Sequence, residues 1–108
     1  MTVSYFALYR TPDDPAEFER HYFGTHVPLV EKTPGLRENR VHRVTRQFVG
    51  APAYHLVAEL VFDSAEAMKA GFASPEWKAA GEDLQSWGGM ELVTMFSAAP
   101  HGPGTTEQ

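Results

Sequence analysis

Three polar side chains in this chain could do chemistry together: Tyr22, His26 and Asp83. Tyr22 and His26 lie one helical turn apart in the stretch FERHYFGTHVPLVEKTPGL, from Phe18 to Leu36. At about 100° per residue, Phe18, Tyr22, Thr25, His26 and Leu29 share one helix face. The apolar members must look into the core, so His26 is expected at the helix–sheet interface. A partly buried imidazole titrates near neutrality and can act as acid, base or hydrogen-bond donor. The Tyr22 hydroxyl could orient a ligand beside that ring. Asp83 lies near the inward face of a later helix, one turn before Trp87, and its carboxylate could pair with His26 or position a substrate. Each has a plainer alternative: His26 bonding a backbone carbonyl, Tyr22 as packing, Asp83 on an exposed surface.

The other histidines offer less. His21 follows Glu17 by four residues and is expected to face water. His21 and His26 are five apart, roughly 140° around a helix, and so make no metal pair. His42 and His55 lie on separate strands and could meet across the sheet, but no third ligand stands at a readable spacing. The chain has no cysteine, which excludes disulfides and thiolate metal sites. No glycine-rich nucleotide loop and no nucleophile elbow are present, and Gly88-Gly89 reads as a helix stop. No metal and no cofactor are expected. A formal net charge of -5 argues against nucleic acid as a partner. Arg37, Arg40, Arg43 and Arg46 are spaced by three, which alternates faces on a strand. They read as a solvated strand rim or as an anion-attracting pocket mouth.

The elements that must position these residues follow from capping and periodicity. At 108 residues, 43% apolar and 21% charged, the chain is one domain. No secretory signal or apolar span opens it, so a cytoplasmic location without membrane partners is expected. Val3 to Arg10 reads as a strand. Asp14, Pro15 and Glu17 start a helix with a capping box. It runs to about Lys32, with a kink or restart near Gly24-Thr25 because Pro28 would clash with the Gly24 carbonyl. Such a restart would put the helix dipole against a charged His26. Leu36 to Phe48 and Tyr54 to Phe62 read as strands. Asp63-Ser64 caps a short helix, with Glu66 placed for a capping box, and Ser74-Pro75-Glu76 starts another helix or turn of helix carrying Trp77, Ala80, Gly81, Leu84 and Trp87 at helical spacing. Met90 to Phe96 is a last strand, with residues 1–97 as the domain and 98–108 as a disordered tail.

The order β-α-β-β-α-β is the ferredoxin-like plan: an α+β fold with a four-stranded antiparallel sheet and both helices on one face. The strands are apolar on both faces, with Tyr5, Ala7 and Tyr9 opposing Phe6 and Leu8. A sheet wet on one side shows polar residues there. A second copy is the simplest cover for the helix-free face, so a homodimer through that face is expected.

From Val3 to Phe96 the chain resembles the EthD family, the small dimeric α/β-barrel proteins named for an ether-degradation operon. The resemblance rests on Tyr5-Phe6-Ala7-Leu8-Tyr9, Pro12-Asp13-Asp14-Pro15, Phe18, His21-Tyr22, His26-Val27-Pro28-Leu29 and Pro34-Gly35-Leu36. Later come Tyr54 to Leu60, Phe62-Asp63-Ser64, Ser74-Pro75-Glu76, Ala79-Ala80 and Asp83-Leu84. Trp87 stands where the family usually has Phe. The resemblance implies a dimeric α/β barrel with a pocket between sheet and helices, and marks His26 for testing. Some EthD-like proteins carry the label "reductase", which no nucleotide motif supports here. The expected function is cofactor-independent acid/base chemistry by His26, assisted by Tyr22 or Asp83. The reaction would be of isomerase, cyclase or oxygenase type on a compact apolar or aromatic intermediate. The expected pocket draws on Tyr5, Tyr54, Trp77 and Trp87. The alternative is a non-catalytic accessory or ligand-binding protein of a monooxygenase system; haem ligation by His26 or His55 is a weaker third reading.

Overall fold

The structure, a computed structural model, describes residues 2–101. Its strands are β1 (Val3–Arg10), β2 (Leu36–Arg43), β3 (Tyr54–Phe62) and β4 (Val93–Ala98). They form one antiparallel sheet in the order β2-β3-β1-β4. Helices α1 (Pro15–His21), α2 (Val27–Val30), α3 (Ala65–Phe72) and α4 (Pro75–Ser86) complete a ferredoxin-like fold.

Local chemistry starts each long helix. The Asp14 carboxylate accepts from the Glu17 amide, and Ser64 and Ser74 accept from the Ala67 and Trp77 amides, each satisfying an otherwise unpaired donor. The capping box at Asp14 is half made, because the Glu17 carboxylate turns instead to Arg20.

Pro28 is accommodated without a break. Residues Tyr22–His26 form a π turn between α1 and α2, and the Val27 amide reaches back to the Tyr22 carbonyl. Backbone angles stay helical through His21, His26 and Val27, so the restart expected at Thr25 does not occur and His26 lies at no helix start. The wide turn has a packing consequence. Side chains four apart drift by about 40° per step on an α-helix, yet Phe18, Tyr22, His26 and Val30 are all buried. The π turn takes out the drift, and Thr25, expected inside, faces solvent.

Beneath this row the sheet presents Val3, Ala7, Tyr9, Leu56, Ala58, Leu60 and Phe62, and α4 adds Ala80 and Leu84. Two bulges break the strand alternation. Tyr9 pairs with Leu56 but Arg10 with Tyr54, leaving His55 as the extra residue. Leu36 pairs with Phe62 but Glu38 with Val61, leaving Arg37 extra. A bulge re-aims its side chain, and His55 turns to Glu19 on α1 at 2.8 Å. His42 is exposed, so the two strand histidines do not meet.

Strand ends differ from expectation at three places. β2 stops at Arg43, and Val44 to Ala53 form a loop braced by Gln47, which donates to the Gly50 and Pro52 carbonyls and accepts from the Tyr54 amide. Gly88, with a left-handed φ of 86°, leads into a 3-10 turn over Gly89–Leu92, so β4 begins at Val93. Ala98 pairs with Ser4 and Ala99 packs on the core, so the ordered chain runs past residue 97. The remainder of the expected tail, residues 102–108, lies outside the described residues.

The four arginines lie on an exposed rim. Arg37 pairs with Asp63, Arg40 with Glu38, and Arg43 with Glu19, while Arg46 lies over the Phe48 ring. No described helix is long and apolar enough to cross a membrane.

Candidate active site

Tyr22, His26 and Val30 of the buried row and the inward face of α4 roof a cavity of about 130 Å³ whose floor is the sheet. The floor is low in the middle because Ala7 on β1 and Ala58 on β3 are paired opposite one another. Leu60, Leu84 and Met90 add apolar wall, and Tyr5 and Trp77 meet edge-to-face at 5.4 Å on its border.

His26 is the one histidine on this wall. Its Nδ1 lies 3.1 Å from Asp83 Oδ2, and its ring tilts against Tyr22 with centroids 5.4 Å apart. Asp83 reaches it from α4 across the helix–helix seam. The same carboxylate receives two further groups: His21 Nε2 lies 3.2 Å from Oδ1, and the Trp87 indole N–H donates to Oδ2 at 3.1 Å. One carboxylate thus ties the first helical region to both ends of the last turn of α4.

The electrostatics assign the proton. Burial disfavours the charged ring and holds His26 below the ordinary histidine value, overcoming the upward pull of the Asp83 hydrogen bond and charge. Burial pushes the Asp83 carboxyl up, but hydrogen bonds from His21, Trp87 and His26 outweigh it, and the net displacement is downward. At neutral pH the pair is therefore an aspartate beside a neutral imidazole. A carboxylate can only accept, so the imidazole proton sits on Nδ1 and the Nε2 lone pair is left free. An imidazole whose tautomer and orientation are fixed in this way can accept a proton at Nε2. Burial raises the Tyr9 and Tyr22 phenols far above their ordinary value, and Tyr5 to about 12. All three are hydrogen-bond donors at neutral pH.

The structure thus brings Tyr22, His26 and Asp83 together, with Tyr5 and Trp77 on the cavity. It separates the other two aromatics. Tyr54 lies with Leu8, Val57 and Phe48 in a groove on the helix-free face, because the His55 bulge reverses its side. Trp87 lines a shallow groove with His21 and Leu92 and packs on Phe18 at 5.2 Å and His21 at 4.5 Å. It touches the chemistry through Asp83 and not through the cavity. His21, expected in water, is half-buried on Asp83. No local spacing announces that contact, because it joins residues 62 apart. Asn39 on β2 also lines the cavity. Its signal is a polar residue at an inward position of a strand, readable only once the Arg37 bulge has fixed the register. Among the described residues no group of three or more His, Asp or Glu side chains is placed to hold a metal.

A family model described as the EthD domain matches residues 10–87. The chain belongs to the EthD family. An 11.0 kDa protein encoded in the thcB-thcC intergenic region of Rhodococcus erythropolis is 30% identical over 90 residues, covering 83% of this chain and 87% of that protein. The crystal structure of an EthD family protein from Bacillus halodurans superposes with a TM-score of 0.85 at 35% identity, over 94% of this chain and all of the other. SnoaB, a cofactor-independent oxygenase from Streptomyces nogalater, shares the fold at 18% identity and a TM-score of 0.61, over 95% of this chain and 97% of its own. That last likeness shows the fold alone.

Proposed function

We propose that this EthD protein is a homodimeric, cofactor-independent enzyme that moves a proton with His26 on a compact apolar or aromatic substrate. The observation that carries the reading is His26 on the wall of an apolar cavity with Asp83 behind it on Nδ1. A buried neutral imidazole oriented through Nδ1 presents Nε2 as the proton acceptor for an acidic C–H or O–H of a bound molecule. Asp83 holds the tautomer and stabilises the imidazolium that forms. Tyr22, adjacent and protonated, orients the ligand or donates to a developing oxyanion. Isomerisation, cyclisation and oxygenation each begin with such a proton transfer, and the fold shared with a cofactor-independent oxygenase is compatible with all three.

The dimer rests on the helix-free face. Phe6 and Phe96 pack there at 5.5 Å, with Phe96 48% exposed. Beside them Leu8 and Val57 line a groove edged by the loop tip at Phe48 and Val49, both more than four-fifths exposed. Ser4 donates to Glu59 at 2.7 Å and Arg40 pairs with it at 3.5 Å, a polar pairing within the patch. Two such sheets packed together bury this apolar surface.

The test is a turnover screen of compact phenols, quinones and lactones, in air and under argon, read by mass spectrometry. His26→Ala and His26→Gln are run beside the parent, with circular dichroism and native mass as folding controls. Turnover is expected to fall by roughly 100- to 10,000-fold in both variants, with the dimer mass intact. Undiminished turnover by a well-folded His26→Ala protein would end the reading. Binding without turnover, unaffected by His26, would leave an accessory ligand-binding protein in its place.

A further inference from the structure

We propose that Asn39 is the ligand-recognition residue of this cavity, and that the ligand is a neutral, single-ring hydroxyarene whose hydroxyl donates to the Asn39 amide oxygen. The proposal rests on reading the cavity as a ligand site and goes on to name what enters it.

The first support is an unmet hydrogen bond. Asn39 lines the cavity, and its Oδ1, turned into the wall, is buried with no hydrogen-bond partner among the described residues; a rotation about the soft terminal amide torsion brings that oxygen to a ligand. Native proteins leave few buried acceptors unpaired, and each exception calls for a missing donor. Asn39 stands on β2, whose other end is tied to α1 through the Arg43–Glu19 pair. Its register partner on β3 is Leu60, so the amide rises from the same floor as the Ala7–Ala58 depression. An apolar residue there would have packed at no polar cost.

The second support is size. A cavity of about 130 Å³ is close to the roughly 150 Å³ apolar cavity, engineered in another protein, that takes up benzene. One six-membered ring fits, and a fused tricycle does not. Aromatic borders favour a ring over an aliphatic chain, since Tyr5, Tyr22 and Trp77 offer edges and faces for offset or T-shaped contact.

The third support is charge. Among the described residues neither Lys nor Arg is on the cavity wall, and burial disfavours the charged form of His26, the imidazole there. A carboxylate ligand would enter unpaired, which buried anions do not tolerate. A neutral phenolic hydroxyl matches the Asn39 acceptor in a largely apolar wall.

The test uses the full chain and isothermal calorimetry with four probes: phenol, toluene, benzoate and anthrone. Phenol is expected to bind roughly tenfold or more tighter than toluene, the gain of one buried hydrogen bond, with benzoate and anthrone weaker still. Asn39→Leu should erase the gap between phenol and toluene, while Glu82→Ala, exposed on α4 and off the cavity wall, preserves it. Equal binding of phenol and toluene to the parent protein overturns the proposal, whether or not Asn39→Leu folds. So does a gap that survives in a folded Asn39→Leu protein, and so does a panel in which no single-ring probe binds. The two readings fail separately. Phenol binding governed by Asn39 without any turnover would end the enzyme reading and leave this one. His26-dependent turnover of a tricycle, indifferent to Asn39, would do the reverse.

Discussion

Replacing Asp83 by Ala removes the acceptor for three N–H groups at once, and the cost can be worked through donor by donor. His26 is 5% exposed, so its Nδ1–H would be left in the core without water, at about 1–3 kcal/mol. The His21 side chain keeps 31% of its surface in solvent, and Trp87 is half-buried. Water can replace Asp83 for both, leaving roughly 0.5 kcal/mol apiece, the low end of a net hydrogen bond. The sum is about 2–4 kcal/mol, a large share of the roughly 5–15 kcal/mol that stabilises a domain. At about 4–8 °C per kcal/mol for a domain near this size, the midpoint should fall by about 8–32 °C. The assay is urea unfolding followed by tryptophan fluorescence at pH 7.5, with thermal melts at matched concentration because the proposed dimer would make apparent stability concentration-dependent. Asp83→Asn keeps one acceptor oxygen and should fall between. Glu82→Ala, exposed on the same helix, should stay within about 0.5 kcal/mol of the parent. A loss below about 1 kcal/mol for Asp83→Ala would mean that the carboxylate does not hold the helical layer together.

Three further outcomes follow from the same geometry. Trp87→Phe keeps an aromatic against Phe18 but deletes one donor to Asp83, and should cost about 0.5–1.5 kcal/mol by urea unfolding. Stability should be full above the ordinary histidine value of about 6.5 and fall below it. His26 is depressed in the native state, so the unfolded chain takes the proton first. The lowered Asp83 and Glu19 carboxylates add a second loss nearer pH 4 and below, and His26→Gln should flatten the upper part of the curve alone. Phe96→Asp, which places a charge on the helix-free face, should convert the proposed dimer to a monomer by native mass spectrometry while the far-ultraviolet spectrum is kept.

What the sequence disclosed was whatever local chemistry decides. Asp14, Ser64 and Ser74 start their helices because their side chains meet amides three residues away, and strand order follows from the βαββαβ pattern. Pro28 announced a fault in the first helix but not its form. Kink, restart and π turn all relieve the clash, and only the buried row from Phe18 to Val30 selects the π turn. Tyr54 shows the parity problem in strands. Simple alternation from Leu56 puts it in the core, and a single extra residue at His55 reverses it. His26 and Asp83 were each visible as polar residues near inward faces. Their contact, and that of His21, joins helices far apart in sequence, so it belongs to tertiary packing and has no local signature. Asn39 was hidden for the same reason as Tyr54, a bulge that sets which side of the strand faces in.

The most direct measurement is the tautomer and titration of the His26 ring by nitrogen-correlated NMR on ¹⁵N-histidine-labelled protein. The account predicts a neutral ring at pH 7, protonated at Nδ1, with a midpoint below about 6.5 and Nε2 resonances that shift when phenol is added. A ring charged at pH 7, or one carrying its proton on Nε2, would contradict the assignment of His26 as the base.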